Sequence, residues 1–249
     1  SEKSGESRKE KNLINKNFLR SRRMKTIKLI AMLLMVLLIS SSFLILDQAF
    51  AQRSSNHENN FYNFSGLELF TASHRLGRGR LRPNNVNLID DKLVLSSPAN
   101  SYHGAEVRTK ERYGYGVYSA TIKSDYAPGS FTAFFLYQDV KSENDEIDIE
   151  IHNDGSRQID FVTFKDGVKT NKVSQTLDFD PVEDYYRYTI DYQPGLINFY
   201  VEDELLASFE DDLPDAEMKL MVNHWWPVWL ESERNQPESK IYIKSIDLE

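Results

Sequence analysis

From Phe61 to the carboxyl end, apolar and polar residues alternate in short runs separated by turn-forming residues. A period of two marks strands with one buried face. Val86–Leu88 and Lys92–Leu95 flank the turn Asp90-Asp91, and Glu106–Arg108 alternates. Tyr115–Lys123 is rich in aromatic and β-branched residues, and Ser130–Tyr137 is a long apolar run. Glu146–Ile151 comes next, then Gln158–Phe164, ended by Lys165-Asp166-Gly167. Arg187–Tyr192, a turn at Pro194-Gly195 and Leu196–Glu202 read as a hairpin; Lys219–Trp225 and Lys240–Leu248 complete the set. No long stretch after residue 60 carries a 3.6-residue period. The pattern predicts an all-β fold, a two-sheet antiparallel β-sandwich or jelly roll.

The amino-terminal part differs. Residues 1–51 hold ten Lys/Arg and four Asp/Glu, whereas residues 52–249 hold 20 and 34. Arg20, Arg22, Arg23, Lys25 and Lys28 precede the apolar run Leu29–Leu46, and Ala49-Phe50-Ala51 follows as a small-x-small cleavage motif. This is the layout of a signal peptide, or of an uncleaved membrane anchor. Either way, positive charge stays inside and the remainder is expected to be secreted, periplasmic or anchored facing outside. Residues 52–60 read as a polar linker, and 61–249 as one domain of about the usual size. With an excess of 14 acidic groups after residue 51, a nucleic-acid partner is not expected, because such binding rests on neutralising phosphates. The chain has no cysteine, so disulfides, thiol nucleophiles and cysteine metal sites are excluded.

The most informative run is Glu146-Ile147-Asp148-Ile149-Glu150. On a strand, Glu146, Asp148 and Glu150 share one face, and Ile147, Ile149 and Ile151 the other. The same alternation suits a half-exposed structural strand, but three acids on one face repel one another and give such a strand nothing. Residues i and i+4 lie about 13 Å apart at Cα, and each glutamate reaches about 3.5–4 Å, so two that lean together bring their carboxyls to about 5–6 Å. A retaining glycosidase sets its two carboxyls about 5–5.5 Å apart.

Other candidates gather around these acids. Trp225, Trp226 and Trp229 fall within five residues, just after Asn223 and His224. They suit either a hydrophobic corner or a platform for the flat C–H face of a sugar ring. Tyr137 could add a wall. Glu106 and Arg108 alternate on one face, as a surface ion pair or as polar contacts to a ligand. His224 alone reads more readily as structural. No His/Asp/Glu set has the spacing of a zinc site, and no glycine-rich loop has the context of a phosphate cradle, so neither metal nor cofactor is expected.

Together these runs resemble glycoside hydrolase family 16, and within it the bacterial β-1,3-1,4-glucanases, or lichenases. The likeness covers roughly residues 75–249. Its signature is Asp145-Glu146-Ile147-Asp148-Ile149-Glu150. Asn84-Asn85-Val86-Asn87, Ala105-Glu106-Val107-Arg108, Tyr113–Tyr118, Phe134–Tyr137, Asp191–Gly195 and Met221–Trp225 support it. The resemblance implies a concanavalin-like jelly roll with a concave cleft for a polysaccharide. It implies Glu146 as nucleophile, Glu150 as general acid/base and Asp148 between them. It implies substrate contacts from Glu106, Arg108, Phe135, Tyr137, Asn223, Trp225 and Trp229.

There are departures from that pattern. Asn144 stands where lichenases have tryptophan, and Val162 and Phe164 replace asparagine and tyrosine. Gly79 and Gly104 occupy the half-cystine positions, and Lys244 replaces a calcium-binding aspartate, so calcium is not expected. Arg75, Arg78, Arg80 and Arg82 form a basic segment in an acidic domain. Were it to border the cleft, it would favour a glucan with anionic substituents.

The expectation is an exported, monomeric, retaining endo-β-glucanase acting on a β-linked polysaccharide, touching membrane only through its amino-terminal segment. A non-catalytic carbohydrate-binding module on the same fold, or a transglycosylase using the same carboxylates, are the alternatives.

Overall fold

The computed structural model describes residues 61–140, 144–233 and 236–249. The leader, the anchor alternative and the 52–60 linker lie outside these residues. The described strands are β1 (Phe61–Phe64), β2 (Leu67–Thr71), β3 (Arg75–Leu76), β4 (Gly79–Arg80), β5 (Val86–Ile89), β6 (Lys92–Ser97), β7 (Ala105–Thr109), β8 (Gly116–Ser124) and β9 (Phe131–Tyr137). They continue with β10 (Glu146–His152), β11 (Gln158–Lys165), β12 (Val168–Thr176), β13 (Tyr186–Gln193), β14 (Leu196–Val201), β15 (Glu204–Phe209), β16 (Lys219–Trp225) and β17 (Ser239–Leu248). One 3-10 turn, Pro83–Asn85, leads into β5.

Two large antiparallel sheets form. One has the order β1-β2-β7-β16-β9-β10-β11-β12, the other β15-β14-β13-β8-β17-β6-β5, and β3-β4 make a small ribbon. Every strand expected from the alternation is present, and the all-β sandwich stands. The hairpin turns follow local chemistry. Asp90 and Asp91 both take positive φ (47° and 59°), as a turn matched to strand twist requires. Gly195 takes φ 75° between β13 and β14.

The core lies between the sheets. Ile147, Ile149 and Ile151 of β10 pack in one cluster with Phe134 and Leu136 of β9, Leu220 and Val222 of β16, and Val107 of β7. Facing them are Ile190, Phe199, Ile241 and Ile243 of the second sheet, in the same cluster. Since side chains alternate, burying these residues turns their neighbours outward. The outer face of the eight-stranded sheet therefore carries Glu106, Arg108, Ala133, Phe135, Tyr137, Glu146, Asp148, Glu150, Met221, Asn223 and Trp225.

Gly79 and Gly104 show how the chain does without a disulfide. A Cβ at Gly79 would run into the carbonyl of Tyr102, and one at Gly104 into that of His224. The bare backbones come close enough to bond directly: Gly104 N–H donates to Arg80 O (3.1 Å) and Arg82 N–H to Gly104 O (3.0 Å).

Candidate active site

The acid strand β10 lies between β9 and β11, and the register fixes each acid's neighbours. Glu146 stands opposite Tyr137 and Phe164, Asp148 opposite Phe135 and Val162, and Glu150 opposite Ala133 and Asp160. Beyond β9, β16 sets Met221 beside Phe135 and Asn223 beside Ala133, and β7 sets Glu106 beside Asn223 and Arg108 beside Met221. A cleft of about 530 Å³ opens over this grid. All the residues singled out for catalysis and binding line it: Glu106, Arg108, Phe135, Tyr137, Glu146, Asp148, Glu150, Asn223, Trp225 and Trp229.

The three acids differ in setting. Asp148 is buried, whereas Glu146 and Glu150 are half-buried. Burial raises the proton affinity of all three, and mutual repulsion adds to it. Asp148 is pushed well above the carboxylate range by burial and by both glutamates, so it holds its proton and hydrogen-bonds Glu146. That bond favours ionised Glu146, against the upward push of burial. Glu150 is pushed up to about 7, first by burial and then by Asp160. The row titrates as a set, with the central proton facing Glu146 and Glu150 retaining its own near neutrality.

Glu106 and Arg108 do not pair with each other. Glu106 is 3% exposed and accepts a hydrogen bond from Asn223 Nδ2 at 3.2 Å. Burial raises it to about 7. Asn223 Oδ1 is buried without a partner among the described residues. Arg108 instead meets Asp139, Nη1 to Oδ2 at 3.3 Å, and Lys219 Nζ reaches the same oxygen at 3.2 Å.

The tryptophans divide. Trp225 and Trp229 line the cleft with centroids 5.4 Å apart and rings at 75°. Trp229, 64% exposed, stands at the rim. Trp226 is a correction to the three-tryptophan platform: it is buried, and its Nε1 donates to Ser97 Oγ at 2.9 Å. His224 is structural, fully buried between Phe131 O (3.2 Å) and Ser239 Oγ (2.9 Å), and burial pushes it down to about 4.

The basic segment meets the cleft only at its edge. Arg75, Arg78, Arg80 and Arg82 do not line the cleft; the segment borders it through Leu76 of β3, next to His74 just before the ribbon. Arg78 donates to Pro227 O (3.0 Å), Val228 O (3.1 Å) and Leu230 O (2.6 Å), so its guanidinium holds the loop bearing Trp229. Arg82 lies 3.5 Å from His103.

Lining residues missed from sequence are His74, Leu76, Ala133, Asp139, Val162, Phe164, Lys169 and Met221. Ala133 and Met221 follow from alternation around Phe135 and Asn223. Asp139 gave no local signal: it lies just past β9 with φ 51°, and its partners are 31 and 80 residues away. Lys169 lies on β12, whose sequence VKTNKVSQT has no apolar face to mark it as a strand. Lys244 is exposed, its Nζ 5.9 Å from the Tyr185 ring. Among the described residues no group of three or more His, Cys, Asp or Glu is arranged to hold a metal ion.

A jelly roll whose open sheet face carries two glutamates around a buried aspartate, with aromatic walls, has the layout that cleavage of a glycosidic bond by paired carboxyls calls for. Comparison with known proteins agrees. The model of glycosyl hydrolases family 16 matches residues 78–243. A β-glucanase of Paenibacillus polymyxa is 34% identical over 150 residues, 58% of this chain and 63% of the relative's length. The solved β-glucanase of Bacillus licheniformis superposes with TM-score 0.69 at 27% identity, covering 78% of this chain and 95% of that one. A solved β-1,3-1,4-glucanase (lichenase) derived from a mouse hindgut metagenome gives TM-score 0.68 at 25% identity, covering 77% and 94%. The chain belongs to glycosyl hydrolase family 16.

Proposed function

We propose that this chain is an exported, retaining endo-β-glucanase. Glu150 protonates the glycosidic oxygen while Glu146 attacks the anomeric carbon; water then releases the glycosyl-enzyme with Glu150 as base. Asp148, by sharing its proton with ionised Glu146, keeps a second negative charge from forming beside the nucleophile. Glu106, Arg108 and Asn223 provide polar contacts to the ring at the cut, and Trp225, Trp229, Phe135 and Tyr137 provide faces for its C–H surface. The carrying observation is that Glu146 and Glu150 stand four residues apart on one strand face, with Asp148 midway, at the floor of one cleft. β-1,3-1,4-glucan is the first substrate to try, given the names of the relatives. Export rests on the basic-then-apolar segment with its Ala49-Phe50-Ala51 motif.

Glu146→Gln is expected to lower hydrolysis of barley β-1,3-1,4-glucan by on the order of 10⁴-fold or more, with polysaccharide binding kept in affinity electrophoresis. Proton NMR of the first wild-type product should show the β-anomer before mutarotation. Full activity in the variant would contradict the nucleophile, and an α-anomer first would contradict retention. Wild-type protein that binds glucan and never releases reducing ends would leave a binding module. Products longer than the substrate would mark transglycosylation.

A further inference from the structure

Behind the acid row stands a second acid that the reaction above does not use. Asp160 of β11 lies directly opposite Glu150 in the β10–β11 register, on the same sheet face. Its carboxylate is buried yet held by three groups. Ser174 Oγ is 2.5 Å from Oδ1, and Lys172 Nζ (3.0 Å) and His152 Nε2 (3.4 Å) meet Oδ2. Burial opposes its ionisation, but those three hydrogen bonds prevail and hold it well below the usual carboxylate range. A fixed negative charge therefore stands beside Glu150 throughout the working pH range.

The groups facing Glu150 come from three strands. On its own strand they are Glu146, Asp148 and His152, from β11 Asp160, and from β12 Lys172 and Lys169; Ala133 on the β9 side brings no charge. Asp160 is the strongest charge favouring protonated Glu150, and Lys172 is the strongest opposing it. A strand that only needed pairing would gain nothing from a buried anion beside another acid. An acid catalyst does gain, because it must keep its proton until the leaving oxygen takes it.

We infer that Asp160 is a positioning residue for proton transfer at Glu150: a fixed anion on β11, clamped by Ser174, Lys172 and His152, that strengthens the acid's hold on its proton. Lys172 is its counterweight. The inference rests on Glu150 being the acid/base.

The test uses Asp160→Asn and Lys172→Met in the whole domain. Two readouts are followed: the titration of the Glu150 carboxyl by carbon NMR, assigned with Glu150→Gln, and the pH profile of kcat/KM on barley β-1,3-1,4-glucan. Asp160→Asn is expected to lower the Glu150 midpoint and the alkaline limb together by about one pH unit. Lys172→Met, at an exposed edge position, should raise both, and it carries the test alone if the first variant does not fold. Midpoints unmoved in both variants, or activity lost equally at every pH, would overturn the inference. A midpoint that moves as expected while the limb stays still would support the role of Asp160 and overturn the acid/base assignment of Glu150.

Discussion

Glu106→Gln separates the stability of the cleft from its chemistry. Glu106 is 3% exposed, and burial raises it from 4.5 to about 7 despite the bond from Asn223 and the nearby Arg108. Its folded value lies above its unfolded one. The folded state therefore binds the proton more tightly, and stability falls as pH rises from about 4.5 to about 7, then stays level. Raising this carboxyl from 4.5 to about 7, at about 1.36 kcal/mol per pH unit, amounts to about 3 kcal/mol lost at pH 8 relative to pH 4. Glutamine keeps the shape, removes the charge and can offer its amide N–H to Asn223 Oδ1, which has no partner among the described residues. The variant should match wild type in urea unfolding at pH 4–4.5 and exceed it at pH 8 by up to about 3 kcal/mol. With a slope of about 2 kcal/mol/M, that is a midpoint roughly 1.5 M higher. Equal midpoints at pH 8, or the same offset at both pH values, would refute the placement of a buried ionising carboxyl here. Glucanase activity should nevertheless fall roughly tenfold or more, since a charged hydrogen-bond acceptor is lost from the floor.

Two further outcomes follow from contacts around the site. Arg78→Ala and Trp229→Ala should each raise KM roughly tenfold on barley glucan, because one loop carries both effects; the double variant should be little worse than either, and full additivity in KM would show that Arg78 acts elsewhere. Asp145→Asn should cost about 2–3 kcal/mol in urea unfolding, because the Asp145 carboxylate accepts the N–H groups of Asp166 (3.0 Å), Asp215 (2.9 Å) and Ala216 (3.2 Å) just before the acid strand; an unchanged midpoint would remove that role.

The central strands were legible because each presents one apolar face to the core. In β10 the isoleucines alone decide which way the acids point, and in β9 and β16 the same rule assigns Phe135, Asn223 and Trp225 to the cleft. Apart from the edge strand β5, elements at sheet margins were not legible. β12 has a polar sequence because its edge position asks for no apolar face, and the short β3–β4 ribbon is held by approach of bare backbones at Gly79 and Gly104. Long-range electrostatics were equally hidden. Arg78 looked like a cleft cation by composition, but its partners are backbone carbonyls about 150 residues away, and no local pattern announces them. Asp160 was visible as one acid among Ile159, Phe161 and Val162, and its three clamps emerge only when β12 folds back.

The acid face and the aliphatic face of β10 are set against each other. Burying Ile147, Ile149 and Ile151, each 0% exposed, drives the strand into the middle of its sheet. That position takes Glu146, Asp148 and Glu150 out of bulk water and raises their proton affinities. The same packing that secures the strand thus favours the protonated acid that the proposed reaction needs, and it makes the domain less stable at the pH where those groups ionise. The two faces should then answer to different perturbations. Shortening an isoleucine should lower stability by a similar amount at every pH, while neutralising an acid should change chiefly the slope of stability against pH.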